Sequence, residues 1–470
     1  MELNSIIIAD VREGLARLPD ASVHCVVTSP PYWGLRDYKI PPSVWGRDPA
    51  CAHKWSMTRR TPQSGGTGAA SVKQVSNGGT QGGVQRPIEW GTCVKCGAWL
   101  GVHGLEPDIE LYVQHEVQIF RAVRRVLRKD GTLWLNLGDS YASGEIGRHD
   151  GITRNLTGMS AKFEGGERKQ SRQETGLKPK DLVGIPWRVA FALQADGWYL
   201  RSDIIWAKPN PMPESVTDRP TKAHEYIFLL SKSARYFYDA EAIRETGSGL
   251  EWNSYKSTLN TGGNKGASTV PSGKKQSTYG ALTFHEDENK TGRNRRTVWT
   301  IPTESYSGAH FATFPTALVE PCIKAGTSEH GVCSECGAPY TRVLEKHKPP
   351  KSLFTKRNAP DDGFVYDGVI VHGGWYGCGG SKLQVWLDEH PTKTLGWVAG
   401  CTCGGRVVPP VILDPFGGSG TVGQVAGALG RSWTLIEISE AYGRMAARRV
   451  LQPLARTTAE PPVDSLFEDL

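Results

Sequence analysis

The sequence predicts an α/β fold that gathers its ligands at the carboxyl ends of strands, and three stretches carry the prediction. Residues 407–414 form an apolar run ending in Asp414, glycines follow at 417–420, a helical pattern spans 421–429, and a second apolar run, 433–437, ends in Glu437. Strand, turn, helix and strand in that order make a βαβ half. Near the start, 23–27 reads as a strand that delivers Ser29-Pro30-Pro31-Tyr32 at its carboxyl end, where open α/β sheets bind ligands. Between these lies a helical pattern over 112–127, followed by Gly131 and the apolar strand 132–137.

The remaining elements follow in chain order. Ile6-Ile7-Ile8-Ala9-Asp10 is short and apolar, suited to a buried strand, and the Pro19-Asp20 turn separates it from 23–27, in which Cys25 reads as a buried strand residue. From 49 to 91 the composition shifts to Gly, Ser, Thr and Gln, an excursion rather than core. Val113, Val117, Phe120, Val123, Val126 and Leu127 hold helical spacing. Residues 144–180 are polar and Gly-rich, with Arg148, Arg154, Lys162, Arg168, Lys169 and Arg172, and read either as a mobile basic loop that closes over a polyanionic partner or as a disordered insertion without a role. A helix is expected at 186–195 and strands at 200–207 and 226–230. Residues 241–296 lose apolar periodicity but keep Asn, Ser, Tyr, Lys and Arg, the content of a segment that reaches into a groove. The stretch 317–323 is an amphipathic helix containing Cys322.

With 470 residues and 38% hydrophobic content the chain can bury a large core and more than one domain. No run of about 18 apolar residues exists to span a membrane, and no basic segment precedes an apolar one at the amino terminus, so a cytoplasmic location is expected. The net charge of +7 fits a polyanionic partner, though an ordinary solvated surface gives the same balance. The acidic end after Glu460 reads as a frayed terminus.

Ten cysteines without a secretory context argue against a disulfide framework. Cys93-Val94-Lys95-Cys96 is a knuckle followed by Gly97, and Cys51 and His53 upstream supply two further ligands for a tetrahedral zinc. Cys333-Ser334-Glu335-Cys336 is followed by Gly337, and Cys401 and Cys403 can complete a second site. A CxxC turn aims two thiolates at one point, and four ligands per ion leave no open position, so both zincs are expected to be structural.

Ser29-Pro30-Pro31-Tyr32 and Asp414-Pro415-Phe416-Gly417-Gly418-Ser419-Gly420-Thr421 together make one active site plausible. An exocyclic amino nitrogen is a poor nucleophile because its lone pair is delocalised into the ring, so positioning dominates the chemistry. The Ser29 hydroxyl and the Pro30 carbonyl can accept its two N–H bonds, Tyr32 can stack on a base flipped from the duplex, and the prolines remove competing donors. The glycine turn lets backbone approach a cofactor. Glu437, 437 − 414 = 23 positions after Asp414, can accept hydrogen bonds from ribose hydroxyls.

These residues resemble the β class of S-adenosylmethionine-dependent DNA amino-methyltransferases, in which the catalytic peptide precedes the glycine motif. The resemblance extends over Leu135-Asn136-Leu137-Gly138-Asp139-Ser140, Trp206-Ala207-Lys208-Pro209-Asn210-Pro211-Met212-Pro213 and His310-Phe311-Ala312-Thr313-Phe314-Pro315, about two thirds of the chain. It implies a permuted, seven-stranded, Rossmann-like mixed sheet flanked by helices. It implies that Asp10 lies near the cofactor and that the segment with Phe311 and Phe314 walls the methionine end. It implies a double-stranded DNA partner and, in a restriction-modification setting, a cognate endonuclease; oligomeric state is left open. Ser29 before Pro-Pro-Tyr commonly accompanies cytosine in that family, which favours N4-cytosine, with N6-adenine the alternative.

The expected organisation is then catalytic core at 1–48, a Gly-rich insert with a zinc site at 49–104, core again at 105–240 around the loop 144–180, and target recognition at 241–297. A cofactor-pocket segment at 298–325, a second zinc-ribbon-like insert at 326–406, the cofactor-binding βαβ unit at 407–455 and a flexible acidic tail at 456–470 complete it. Methylation at cytosine C5 would need a cysteine nucleophile, and Pro321-Cys322 would leave Ser29-Pro30-Pro31-Tyr32 without a role. Two other readings stay open: a methyltransferase for RNA or protein glutamine, and an inactive zinc-ribbon DNA-binding protein.

Overall fold

A computed structural model describes residues 2–34, 37–38, 40–46, 48, 50–60, 88–142, 177–178, 180–245, 293–304, 314–345, 347, 350, 364–366, 369–371, 386, 389–390 and 392–454. The chain divides into two compact units. One comprises Met1–Asp239, Thr297–Thr341 and Ala399–Leu470, the other Ala240–Arg296 and Arg342–Val398.

The first unit is organised by one sheet whose strands are β1 (Ser5–Ile8), β2 (Val23–Thr28), β3 (Leu127–Leu137), β4 (Tyr199–Ala207), β5 (His224–Ser231), β6 (Val298–Thr300), β7 (Val411–Asp414) and β8 (Ser432–Glu437). Their order is β1-β8-β7-β2-β3-β5-β4-β6. From β1 to β3 every neighbour is parallel; β5 is antiparallel to both β3 and β4, and β6 returns to parallel. The mixed, mostly parallel α/β sheet agrees with expectation. Its strand count does not: eight strands stand where seven were expected. The extra one is the three-residue β6, whose pairing covers the outer edge of β4 and would otherwise leave that ladder unpaired. Trp299 of β6 is buried, and Trp206 Nε1 donates to Ile301 O at 2.8 Å beside it.

Among the described residues these helices accompany the sheet: α1 (Val11–Ala16), α2 (Ile109–Val126), α3 (Ile185–Ala195), α4 (Thr316–Gly326), α5 (Thr421–Ala428) and α6 (Glu440–Val450). Asp10 caps α1, and Asp108, whose side chain accepts the Leu111 N–H, starts α2 earlier than the apolar spacing indicated. The core is the buried face of α2 (Ile109, Ile119, Phe120, Val123 and Val126) packed with Val23, Val26, Leu133, Leu135 and Leu413 of the central strands. Such strands read as continuous apolar runs because both faces are covered.

Two boundaries differ from the sequence reading for identifiable reasons. The run 407–414 is two elements: Val407–Val408 pairs antiparallel with Val332–Cys333, and only Val411–Asp414 joins the main sheet. Pro409 and Pro410 between them have no N–H to donate, which ends the first ladder. The stretch 49–91 is also more than an excursion. Trp55–Arg60 pairs antiparallel with Ile88–Cys93, which continues through Trp99–Gly101 to Ser43–Trp45, a four-stranded sheet with Trp45 and Trp99 buried. Residues 49 and 61–87 of that stretch lie outside the described residues.

Strand β2 is pinned at its start by His24, whose Nδ1 accepts the Val411 N–H at 3.0 Å and whose Nε2 donates to Gly337 O at 3.1 Å. Burial, aided by the Arg128 charge, pushes this imidazole down to about 4, and the two bonds fix it as the neutral Nε2–H tautomer. In the second unit the Glu245 carboxylate takes Arg293 Nε at 3.0 Å and Arg296 Nε at 2.9 Å. Residues 246–292 of the expected target-recognition segment, residues 144–176 and 179 of the expected basic loop at 144–180, Phe311 and the tail beyond 454 fall outside the described residues. Among the described residues no helix is long and apolar enough to cross a membrane.

Candidate active site

The topology sends the carboxyl ends of β8, β7, β2, β3 and β4, and the amino end of β5, to one rim of the sheet. Both peptides singled out in the sequence lie there. Because β7 pairs directly with β2, Ser29-Pro30-Pro31-Tyr32 and Pro415-Phe416-Gly417-Gly418 leave adjacent parallel strands. The buried Thr28 Oγ1 donates to Asp414 Oδ1 at 2.7 Å, tying the two strand ends together.

The glycine turn is shaped by backbone conformation. Gly418 and Gly420 have φ of 48° and 84°, and a Cβ at Gly420 would sit 2.9 Å from Cα and Cβ of Ala446, so no other residue fits. Glu437 supports the turn from the end of β8, accepting Gly418 N–H and Ser439 N–H, each at 2.8 Å. Burial pushes the Asp414 carboxyl up to about 7 despite bonds from Thr28 and the Phe416 amide, and burial also raises Glu437. Asp10 lies two residues beyond β1, whose Ile8 is paired with Glu437. Burial opposes its ionisation, yet Arg12, bonded to both carboxylate oxygens at 2.9 Å, holds it below the usual range. The side chain of Ser419 accepts Arg449 NH1 at 2.8 Å, and the Thr421 side chain is buried. Phe314 lies two residues before α4.

Around the Ser29–Tyr32 peptide, Tyr32 is the centre of a polar network. Its hydroxyl lies 2.8 Å from Glu225 Oε2, 3.1 Å from Asn136 Oδ1 and 3.1 Å from Ser29 Oγ. Asn136 Nδ2 donates to Glu225 Oε2 at 3.2 Å and to Tyr226 O at 3.1 Å, and Lys208 Nζ pairs with Glu225 Oε1. Burial and the adjacent Glu225 charge raise the Tyr32 phenol well above its ordinary value. Gly138 gives the ring its place: a Cβ there would lie 2.5 Å from Tyr32 Cε2. Asp139 accepts three backbone amides, from Ser140, Gly184 and Ile185, and so orders the start of α3.

A second buried network was not foreseen. His103 Nδ1 meets Glu106 Oε1 at 2.9 Å, His103 Nε2 meets Glu116 Oε1 at 2.9 Å, and His115 Nδ1 meets Glu106 Oε1 at 2.8 Å. Burial disfavours charge on His103, but Glu106 and Glu116 outweigh it and push the imidazole up to about 10; Glu106 is held at about 2, its burial outweighed chiefly by His103. Residues of this region also hold the segment that follows Ser29. Tyr112 Oη donates to Pro31 O at 3.0 Å, Trp33 Nε1 donates to Glu106 O at 3.0 Å, and Gly34 N donates to Gly104 O at 2.8 Å. The Phe416 ring stacks on His103 with centroids 6.0 Å apart, so the same imidazole touches the glycine turn. The signal was present in the sequence: Tyr112, His115, Glu116 and Ile119 share one helical face, the buried one.

The cysteines assemble as the spacing predicted. Cys51, His53, Cys93 and Cys96 offer ligand atoms all within 4.8 Å of one another, as do Cys333, Cys336, Cys401 and Cys403. Both knuckles share one backbone pattern, Gly97 N to Cys93 O at 2.9 Å and Gly337 N to Cys333 O at 2.8 Å, with both glycines at positive φ. Cys25 is buried in β2 as expected. Cys322 is buried in α4 with its thiol on Leu318 O, away from a nucleophile's position.

The chain is similar in sequence to known proteins. The sequence pattern of a family described as DNA methylase matches residues 23–334 and 410–448. The Type II methyltransferase M.Cfr9I of Citrobacter freundii is 38% identical over 331 residues, 70% of this chain and 74% of the relative. The Type II methyltransferase M.SmaI of Serratia marcescens is 39% identical over 328 residues, 69% of this chain and 76% of that protein. Among solved structures, the cytosine-N4-specific PvuII DNA methyltransferase is 14% identical, with a TM-score of 0.42 over 95% of this chain and 86% of its own.

Proposed function

This chain belongs to the DNA methylase family and is a site-specific DNA amino-methyltransferase; within that activity, we propose that it acts on N4 of a cytosine turned out of the duplex. One observation carries the reading: the catalytic peptide and the glycine turn leave neighbouring strands joined by the Thr28–Asp414 bond. Ser29 in the first position of that peptide favours cytosine over adenine.

S-adenosylmethionine, when bound, supplies an electrophilic methyl group on sulfur. The residues fit such a cofactor: a turn that excludes any Cβ at Gly420 presents backbone, and Glu437 keeps unused lone pairs on both oxygens for ribose hydroxyls. Asp10, Phe311, Phe314, Pro415, Phe416 and the backbone of 417–421 are proposed to line the same pocket. On the other side Ser29 Oγ and Pro30 O accept the two N–H bonds of the target amine, and the Tyr32 ring meets the face of the base. Pro30 and Pro31 offer no competing donor. These groups hold the nitrogen lone pair toward the methyl group, where orientation supplies most of the acceleration.

The two ligand sets are proposed to hold structural zinc. Tetrahedral zinc with bonds of about 2.3 Å to sulfur places sulfurs about 3.8 Å apart, and Cys51 and Cys93 lie 3.9 Å apart. Residues 241–297 are proposed to read the target sequence, and a cognate endonuclease and a cytoplasmic setting accord with the Type II relatives. The test is methylation of duplex DNA followed by nucleoside mass spectrometry. N4-methylcytosine is expected; N6-methyladenine would move the target to adenine, and transfer to RNA or protein alone would overturn the reading.

A further inference from the structure

Amine methylation leaves a proton to be disposed of. The N–C bond forms as the donor's S–C bond breaks with its electron pair retained by sulfur, and one N–H bond of the amine must break, its pair staying on nitrogen. The established activity supplies the methyl donor; some group must receive the proton.

The hydrogen bonds around Tyr32 have a fixed direction. Tyr32 has one hydroxyl proton, and the acceptors within reach are Glu225 Oε2 at 2.8 Å and Asn136 Oδ1 at 3.1 Å. The orientation of Asn136 is set by its amide donating to Glu225 and to Tyr226 O. The shorter, charge-assisted bond to Glu225 takes the proton, so the phenol oxygen must accept at 3.1 Å from Ser29 Oγ. Both hydroxyl protons therefore point away from the Ser29 oxygen and toward one carboxylate. The Ser29 lone pairs are left to accept an incoming N–H. Lys208 pairs with Glu225 Oε1 and lies 4.2 Å over the Trp206 ring, so the carboxylate faces a cation on its far side.

We propose that Ser29, Tyr32 and Glu225 form a proton path that carries the amine proton from the target base to the Glu225 carboxylate, an inference that rests on the assignment of Ser29 made above. The amine proton passes to Ser29 Oγ as the Ser29 proton passes to Tyr32 Oη, and the Tyr32 proton passes to Glu225 Oε2. Each oxygen gains one proton as it loses one, and Glu225 ends neutral. Glu225 touches no substrate atom; it acts through Tyr32, and the raised phenol value suits a carrier that keeps its proton until pushed.

The test uses the full-length enzyme with duplex DNA. Glu225→Gln keeps an acceptor oxygen for Tyr32 but removes the sink, and Tyr32→Phe keeps the ring but cuts the path. Each is expected to lower the single-turnover methylation rate by roughly 10²-fold, the range of positioned proton transfer, with affinities for S-adenosylmethionine and DNA unchanged. The double variant is expected to fall no further than the slower single one, because both act on one path. Infrared spectroscopy of the free protein supplies a measurement independent of turnover: the carboxylate band lost in Glu225→Gln should shift in Tyr32→Phe. A wild-type rate in Glu225→Gln, multiplicative losses, or an unmoved band would overturn the path. Ser29→Ala separates the two readings: if it turns over normally the assignment of Ser29 fails, whereas a dead Ser29→Ala beside a normal Glu225→Gln sinks the path alone.

Discussion

Thr28 and Asp414 are 386 positions apart in the chain and share a buried hydrogen bond of 2.7 Å. That bond joins the strand that ends in the catalytic peptide to the strand that ends in the glycine turn. Replacing Thr28 by Val keeps the shape but leaves a buried carboxylate oxygen with only the Phe416 amide. The expected cost is about 1–3 kcal/mol of stability, with weaker S-adenosylmethionine binding. Urea denaturation and calorimetric titration measure both, and Thr28→Ser should restore most of the loss.

Asp414 also predicts a pH dependence. Its folded value of about 7 lies above its ordinary 3.8. Between those values the folded state binds more protons than the unfolded one, so the cofactor-free protein should lose stability as pH rises from 4 to 7 and level off above. The slope from this one group is at most about 1.4 kcal/mol per pH unit. Asp414→Asn should flatten that part of the curve; thermal melts across pH 4–8 would reveal an unchanged slope if burial of this carboxyl is not the cause.

Gly138→Ala should act on catalysis rather than on cofactor binding. The added methyl meets the Tyr32 ring at 2.5 Å, and the ring must give way. A displacement of about 1 Å at a positioning group costs on the order of 10²-fold in rate. Single-turnover kinetics should show that loss while S-adenosylmethionine affinity stays within about twofold, since the glycine turn is untouched.

Gly420→Ala should do the reverse. It places a Cβ 2.9 Å from the backbone of Ala446 at a φ of 84°, so the turn must open or α6 must retreat. Loss of measurable S-adenosylmethionine binding is expected, together with at least about 1 kcal/mol of destabilisation.

Metal analysis of the purified protein should find zinc in both ligand sets. Cys336→Ser should remove one ion and lower the melting temperature, because Gly337 O of that knuckle holds His24 on β2. Chelation that abolished turnover yet left the fold and DNA binding intact would contradict a structural role.

The sheet was legible in the sequence wherever apolar runs were long and bounded. The strands at 23–28, 199–207 and 432–437 and helix α3 lie within a residue or two of their expected limits. The short edge strand at 298–300 was not legible, because three residues with one buried Trp carry no periodicity. The ligand cysteines were legible because a knuckle is local. The His103–Glu106–Glu116 network and Glu225 were not, since each gains its meaning from a partner on another element: Phe416 lies far along the chain from His103, and Tyr32 far from Glu225. A polar pair inside an apolar helix stripe, as at His115 and Glu116, is the kind of local conflict that marks such a network.

The position of β7 and β8 between β1 and β2 has a consequence for biosynthesis. Strands β1 and β2 are separated in the sheet by β7 and β8, which come much later in the chain, so β1 lacks its partner in this sheet until β8 has been made. A chain cut before β7 would carry Ser29-Pro30-Pro31-Tyr32 without the glycine turn, so the two peptides can meet only after β7 has been made.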